Sequence, residues 1–117
     1  MRFARLIVAF LFALWPALAH ADFTVDDTHQ AIYEASVNHG VSHALLRRLV
    51  RCETGGTFRP DMVGDHGTSF GPMQLHAPGE LNTFYRLGYT DPSNPYEALD
   101  YAAQAILAGR GPRWSCW

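Results

Sequence analysis

The chain has 117 residues, 48% of them hydrophobic, with 9 basic and 11 acidic side chains and a formal net charge of -2. That length suffices for one small domain with one modest core. Every basic residue is Arg, and no basic stripe is present that would suit nucleic acid.

Arg2 and Arg5 precede an apolar run from Leu6 to Trp15, then Pro16 and the small-residue pattern Ala19-His20-Ala21. This is the order of regions in a secretory signal peptide, with cleavage expected after Ala21. The alternative is an uncleaved anchor, but the run is short for a spanning helix and ends in a cleavage-like site. Residues 22–117 are then the exported domain, periplasmic or secreted, and no later apolar run suits stable membrane insertion. Cys52 and Cys116, both in that part, are expected to form a disulfide closing a long loop. A free Cys52 or an intermolecular bridge through Cys116 is the competing reading.

Asp27, with Gln30 three residues on, is expected to open a first helix that carries Ala31, Ile32 and Ala35 and closes at Gly40. Ser42 caps a second helix, with Val41 placed to staple against Leu46. Leu45, Leu46, Leu49 and Val50 form its apolar stripe, and the helix stops at Gly55-Gly56. Glu53 continues the stripe at its end. Partial burial and the negative end of the helix dipole should both raise its pKa, which is how a general acid for neutral pH is made. On this helix alone, a Glu that reaches water past the helix end competes equally.

From Thr57 to Gly71 the helical period is lost, and Met62 to Phe70 reads as a short β-hairpin or irregular loop around Gly64 and Gly67. A short helix is expected from Pro72 and another from about Glu80 to Leu87, burying Leu81, Phe84 and Tyr85. Asn94 caps a final helix with Pro95 first, Glu97 third, and Ala98, Leu99, Ala102, Ala103 and Ile106 facing the core. The fold class is mainly α (α+β), a small helical domain with one minor β element. His39 and His43 are separated by a helix break, and His66 and His76 lie far along the chain, so no zinc-type spacing is present and no metal or cofactor is expected.

Cys52-Glu53-Thr54-Gly55-Gly56-Thr57-Phe58-Arg59-Pro60, followed by Gly64-Asp65-His66-Gly67-Thr68-Ser69-Phe70-Gly71-Pro72-Met73-Gln74-Leu75, resembles the lytic transglycosylase branch (soluble lytic transglycosylase, or goose-type-like) of the lysozyme superfamily. The resemblance covers roughly residues 28 to 108. It implies a lysozyme-like fold, peptidoglycan glycan strands as substrate, and Glu53 as the single catalytic acid and base. Thr54 stands where the family usually has Ser, to hold the carboxylate or the substrate. Ser69 and Gln74 would line the cleft and hydrogen-bond the sugar, with Met73 packing beneath. Read without the family, Ser69 is a turn hydroxyl, Gln74 a helix-surface amide and Met73 ordinary core.

Two departures stand out. Pro72 replaces the usual apolar residue before Met, which is compatible with a helix start. The Ala-Tyr-Asn-Ala-Gly-like segment that supplies a second active-site residue in many members is absent, and the chain runs instead through Gly109-Arg110-Gly111-Pro112-Arg113-Trp114-Ser115-Cys116-Trp117. Tyr85, Tyr89 and Tyr101 are the available tyrosines, Tyr101 on the final helix being the first choice. Asp65 is the candidate second carboxylate, although turn chemistry alone would also select it.

The function expected is cleavage of the β-1,4 bond between N-acetylmuramic acid and N-acetylglucosamine, leaving 1,6-anhydro ends. The alternatives are a lysozyme-type hydrolase, a non-catalytic glycan-binding module, and a small disulfide-stapled inhibitor or structural protein.

Overall fold

The computed structural model describes residues 22–117, so the signal-peptide reading of residues 1–21 falls outside the described residues. The elements are α1 (Val25–His39), α2 (His43–Glu53), β1 (Val63–Gly64), β2 (Ser69–Phe70), β3 (Leu75–His76), α3 (Gly79–Arg86), α4 (Pro95–Leu107) and a 3-10 turn (Gly111–Arg113). The fold is mainly α with a short antiparallel sheet in the order β1-β2-β3. Among the described residues no helix is long and apolar enough to cross a membrane.

Thr24, not Asp27, begins α1. Its hydroxyl accepts from the Asp27 N–H at 3.2 Å while the Asp27 carboxylate accepts from the Thr24 N–H at 2.8 Å, a reciprocal capping box in which Asp27 is the third helical residue. Gly40 closes the helix at φ 66, the left-handed conformation a C-terminal glycine supplies. Ser42 caps α2 by accepting from the Leu45 N–H, and Leu46, Leu49 and Val50 are its buried face. Each of these aliphatic side chains contributes on the order of 2 kcal/mol by leaving water. Asn94 caps α4 as expected, accepting from the N–H groups of Tyr96 and Glu97. Glu97 does not complete a capping box; its carboxylate accepts instead from the Thr90 and Asp91 N–H groups, folding the preceding loop onto the helix.

α1 packs chiefly on α4. The core continues through Ile32, Leu49, Leu75, Phe84, Leu99 and Tyr101, all fully buried, with the Phe84 ring edge-on to Tyr101 at 5.5 Å.

Two expected helical features are corrected. No helix starts at Pro72. Gly71 and Gln74 both have positive φ, 80 and 45, and this breaks any helical path and lets Leu75 pair with Phe70 as a third strand. A side chain at residue 71 would also collide with the Pro92 carbonyl oxygen, so only glycine fits there. On α3 the buried residues are Glu80, Leu81 and Phe84, whereas Tyr85 is 47% exposed. The helix is rotated so that a carboxylate, not a phenol, turns inward.

Candidate active site

Residues directly paired on neighbouring antiparallel strands project to the same face of the sheet, and here that rule builds a wall. Gly64, Ser69 and His76 are paired across the three strands in one row, and all three line a cleft of about 740 Å³. The neighbouring row ends in Leu75, which is buried in the core. The other side of the cleft is made by the end of α2 with Cys52 and Glu53, by Glu80 of α3, and by the C-terminal segment from Arg113 to Cys116.

Glu53 is the last residue of α2 and half-buried. Burial holds its carboxyl above the ordinary carboxylate pKa; the Cys116 N–H, donating to Oε1 at 3.3 Å, pulls the other way, and the negative charge of Asp65 adds to the rise. The net shift is upward, the direction needed by a carboxylic acid that must still hold its proton when substrate arrives.

The disulfide between Cys52 and Cys116 is present, with an S–S distance of 2.05 Å. It ties the C-terminal segment to the helix end beside Glu53 and so delivers the Cys116 N–H. Trp114 anchors the same segment from the other direction, its indole N–H donating to the Met73 carbonyl at 2.8 Å. Met73 is fully buried, under the cleft rather than in it.

Asp65 lies on the opposite wall, in a Gly64-to-Gly67 turn whose two central residues, Asp65 and His66, have φ 50 and 57. Positive φ at both central positions is the condition of a type I′ hairpin turn, and Asp tolerates it. The Ser69 hydroxyl donates to Asp65 Oδ2 at 2.6 Å and lies 3.0 Å from His76 Nδ1. Since its own proton goes to Asp65, it accepts from His76, whose Nδ1 therefore carries a hydrogen. Ser69 is 1% exposed. A buried hydroxyl whose proton points at a carboxylate and not at an imidazole base is not a nucleophile. It orients Asp65 and His76.

Two of the expected sugar contacts have other duties. Thr54 is fully buried and does not line the cleft; its hydroxyl donates to the Val50 carbonyl at 2.7 Å and accepts from the Phe58 N–H at 2.9 Å, shaping the exit from α2. Gln74 does reach the cleft, but its amide nitrogen donates to the carbonyls of Met62 and Gly71 at 3.1 and 2.9 Å. Those bonds brace the strands and hold a backbone whose left-handed φ costs a residue with a Cβ about 1–2 kcal/mol. Gln74→Ala is therefore expected to lower the unfolding free energy by about 2 kcal/mol, read by urea denaturation. Unchanged stability with weakened glycan affinity would return Gln74 to a purely sugar-binding role.

Tyr101 is fully buried behind the cleft, its hydroxyl donating to Glu80 Oε2. Burial, then that hydrogen bond, pushes the phenol up to about 12. Its contact with the cleft is indirect, through Glu80. Glu80 is the residue that sequence reasoning missed. It is 7% exposed and faces Tyr101, Arg110 at 3.3 Å and Arg113 at 3.4 Å. An acid in the first turn of a helix reads as a dipole partner, and nothing local announces that a tyrosine and two arginines from later segments converge on it.

Among the described residues no group of three or more His, Cys, Asp or Glu is arranged to hold a metal ion. No family model matches the chain, and neither a curated protein nor a solved structure matches it.

Proposed function

We propose that this protein is an exported peptidoglycan lytic transglycosylase, with Glu53 as its general acid and base and the glycan strand lying between the sheet wall and the C-terminal segment. The observation that carries this reading is the half-buried Glu53 carboxyl, raised in pKa by burial, facing an open cleft large enough for sugar units. The resemblance around Cys52-Glu53-Thr54 and Gly71-Pro72-Met73-Gln74 supports it, and the bridged cysteines suit an oxidising compartment.

In this mechanism protonated Glu53 donates to the glycosidic oxygen as the C1–O bond of the muramoyl unit breaks and positive charge develops on the ring. The substrate's N-acetyl oxygen shields that charge. The Glu53 carboxylate then removes the proton from the muramoyl 6-hydroxyl, whose oxygen closes on C1. The proton returns to Glu53 and no water is consumed.

A second reading is favoured by one observation, that Asp65 lines the same cleft and its charge is felt at Glu53. It is a two-carboxylate hydrolase that admits water. Mass spectrometry of fragments released from purified peptidoglycan separates the two. Anhydromuramoyl ends, lighter by one water than reducing ends, are the expected result. Reducing ends alone would make the protein a hydrolase, and binding without any fragments would make it a glycan-binding module.

A further inference from the structure

Glu80 is a single carboxylate facing two guanidinium groups. Tyr101 donates to one of its oxygens, and Arg110 and Arg113 both approach the other, at 3.3 and 3.4 Å. One negative charge needs one counter-charge, and the two arginines differ in what else they can do. The Arg110 side chain is 29% exposed and does not line the cleft; that of Arg113 is 62% exposed and does. Only Nη1 of Arg113 is engaged with Glu80. The positive charge in excess of Glu80 is thus presented to the cleft by Arg113, from a segment held in place by the Trp114 indole and the Cys52–Cys116 bond. The other charged groups lining the cleft are the carboxylates of Glu53, Asp65 and Glu80, with His76 beside Asp65. Arg110 balances Glu80 and Glu53 meets substrate protonated, so Asp65 is the acid left to repel an anionic ligand, and Arg113 is the permanent cation placed to offset it.

Resting on the reading of the cleft as a glycan site, we infer that Arg113 is an anion subsite that takes a carboxylate carried by a muramoyl residue. Glu80 is its positioning residue: the ion pair orients the guanidinium and leaves its remaining N–H groups for the ligand, and Tyr101 in turn orients Glu80. Two sources carry the same chemistry, the free lactyl carboxylate of a muramoyl unit without a peptide and a carboxylate of the stem peptide. Neutral N-acetylglucosamine oligomers lack both.

The test is binding, measured by calorimetry with the Glu53→Gln chain so that no ligand is consumed, for three probes: N-acetylglucosamine hexamer, peptide-free glycan strands, and peptide-bearing strands. Arg113→Gln on this background is expected to weaken at least one muramoyl probe by about tenfold or more, as loss of a charge-assisted hydrogen bond does, and to leave the neutral hexamer unchanged. Loss confined to peptide-free strands assigns the lactyl group, and loss confined to peptide-bearing strands assigns the stem. Arg113→Lys should restore part of the loss, and the penalty should shrink in high salt. Arg59→Gln removes an exposed arginine outside the cleft, paired with Asp61, and should change nothing. Equal weakening of all three probes by Arg113→Gln would show a general distortion of the wall and overturn the inference, as would no weakening of any. Failure of the Glu53→Gln chain to bind any probe would overturn the glycan reading itself and the inference with it.

Discussion

Glu53→Gln is expected to reduce peptidoglycan cleavage by roughly 10³-fold while the protein melts at the same temperature or higher. Gln keeps the length of the side chain and an oxygen that can accept from the Cys116 N–H, so the local geometry survives. What it lacks is a proton to deliver. The stability sign follows from the raised pKa. A carboxyl whose pKa is higher in the folded chain than in the unfolded one is destabilising when ionised, so the wild-type fold gains stability as pH falls through the folded value and loses it as pH rises. Removing the charge relieves that penalty at neutral pH. The same shift sets the activity profile: cleavage should decline as pH rises above the Glu53 pKa, with the falling limb displaced upward from the ordinary carboxylate range. Asp65→Asn is expected to cost far less and, by removing a neighbouring negative charge, to move that limb down. Equal losses in the Gln and Asn variants would assign the chemistry to a carboxylate pair.

Opening the Cys52–Cys116 bond is expected to remove about 4 kcal/mol of stability, since it closes a loop with a sequence separation of 64. For a domain of this size that corresponds to a melting temperature lower by roughly 20 °C. Activity should fall by more than unfolding explains. The bond holds the segment that forms one wall of the cleft and donates the Cys116 N–H to Glu53, and a displacement of about 1 Å at a catalytic group can cost a hundredfold. Trp114 would still hold the segment to the Met73 carbonyl, so the wall should loosen rather than detach. The measurement is a thermal melt and a peptidoglycan digest of the Cys52→Ser/Cys116→Ser double variant at a temperature where it remains folded. Wild-type melting would show that the cross-link is energetically idle, and wild-type cleavage by the folded variant would show that the wall does not depend on it.

The helices α1, α2 and α4 are legible locally because each carries its own periodicity and side-chain cap, whereas α3 has no side-chain cap and turns a face inward that its apolar pattern does not announce. Ser42 and Asn94 cap α2 and α4 through their own side chains, and the Leu46-Leu49-Val50 stripe places Glu53 at the helix end without reference to any other element. Even the start of α1, at Thr24 rather than Asp27, is set locally, by a capping box in which Asp27 is the third helical residue. The cysteine pairing is equally open to inference, because the chain has two cysteines and each therefore has one intramolecular partner.

The sheet and the far end of the cleft are different in kind. Strands of two residues carry almost no periodic signal, and β3 exists because Gly71 and Gln74 turn the chain back through positive φ, with the Gln74 amide bonded to carbonyls three and twelve residues earlier. That return places His76 beside Ser69 and Asp65, a grouping that three separate turn-like segments do not suggest. Glu80 is the clearest instance. By composition it is a solvent-facing acid at a helix start; its burial depends on α4 bringing Tyr101 and the following segment bringing Arg110 and Arg113 to the same carboxylate. Hydrophobic periodicity and capping involve neighbours within a turn or two, so residue order alone is enough to specify α1, α2 and α4 and the position of Glu53 at the end of α2. Which charges share a cleft is settled by the packing of distant segments, because a carboxylate can be buried only where its counter-charges have already been carried to it.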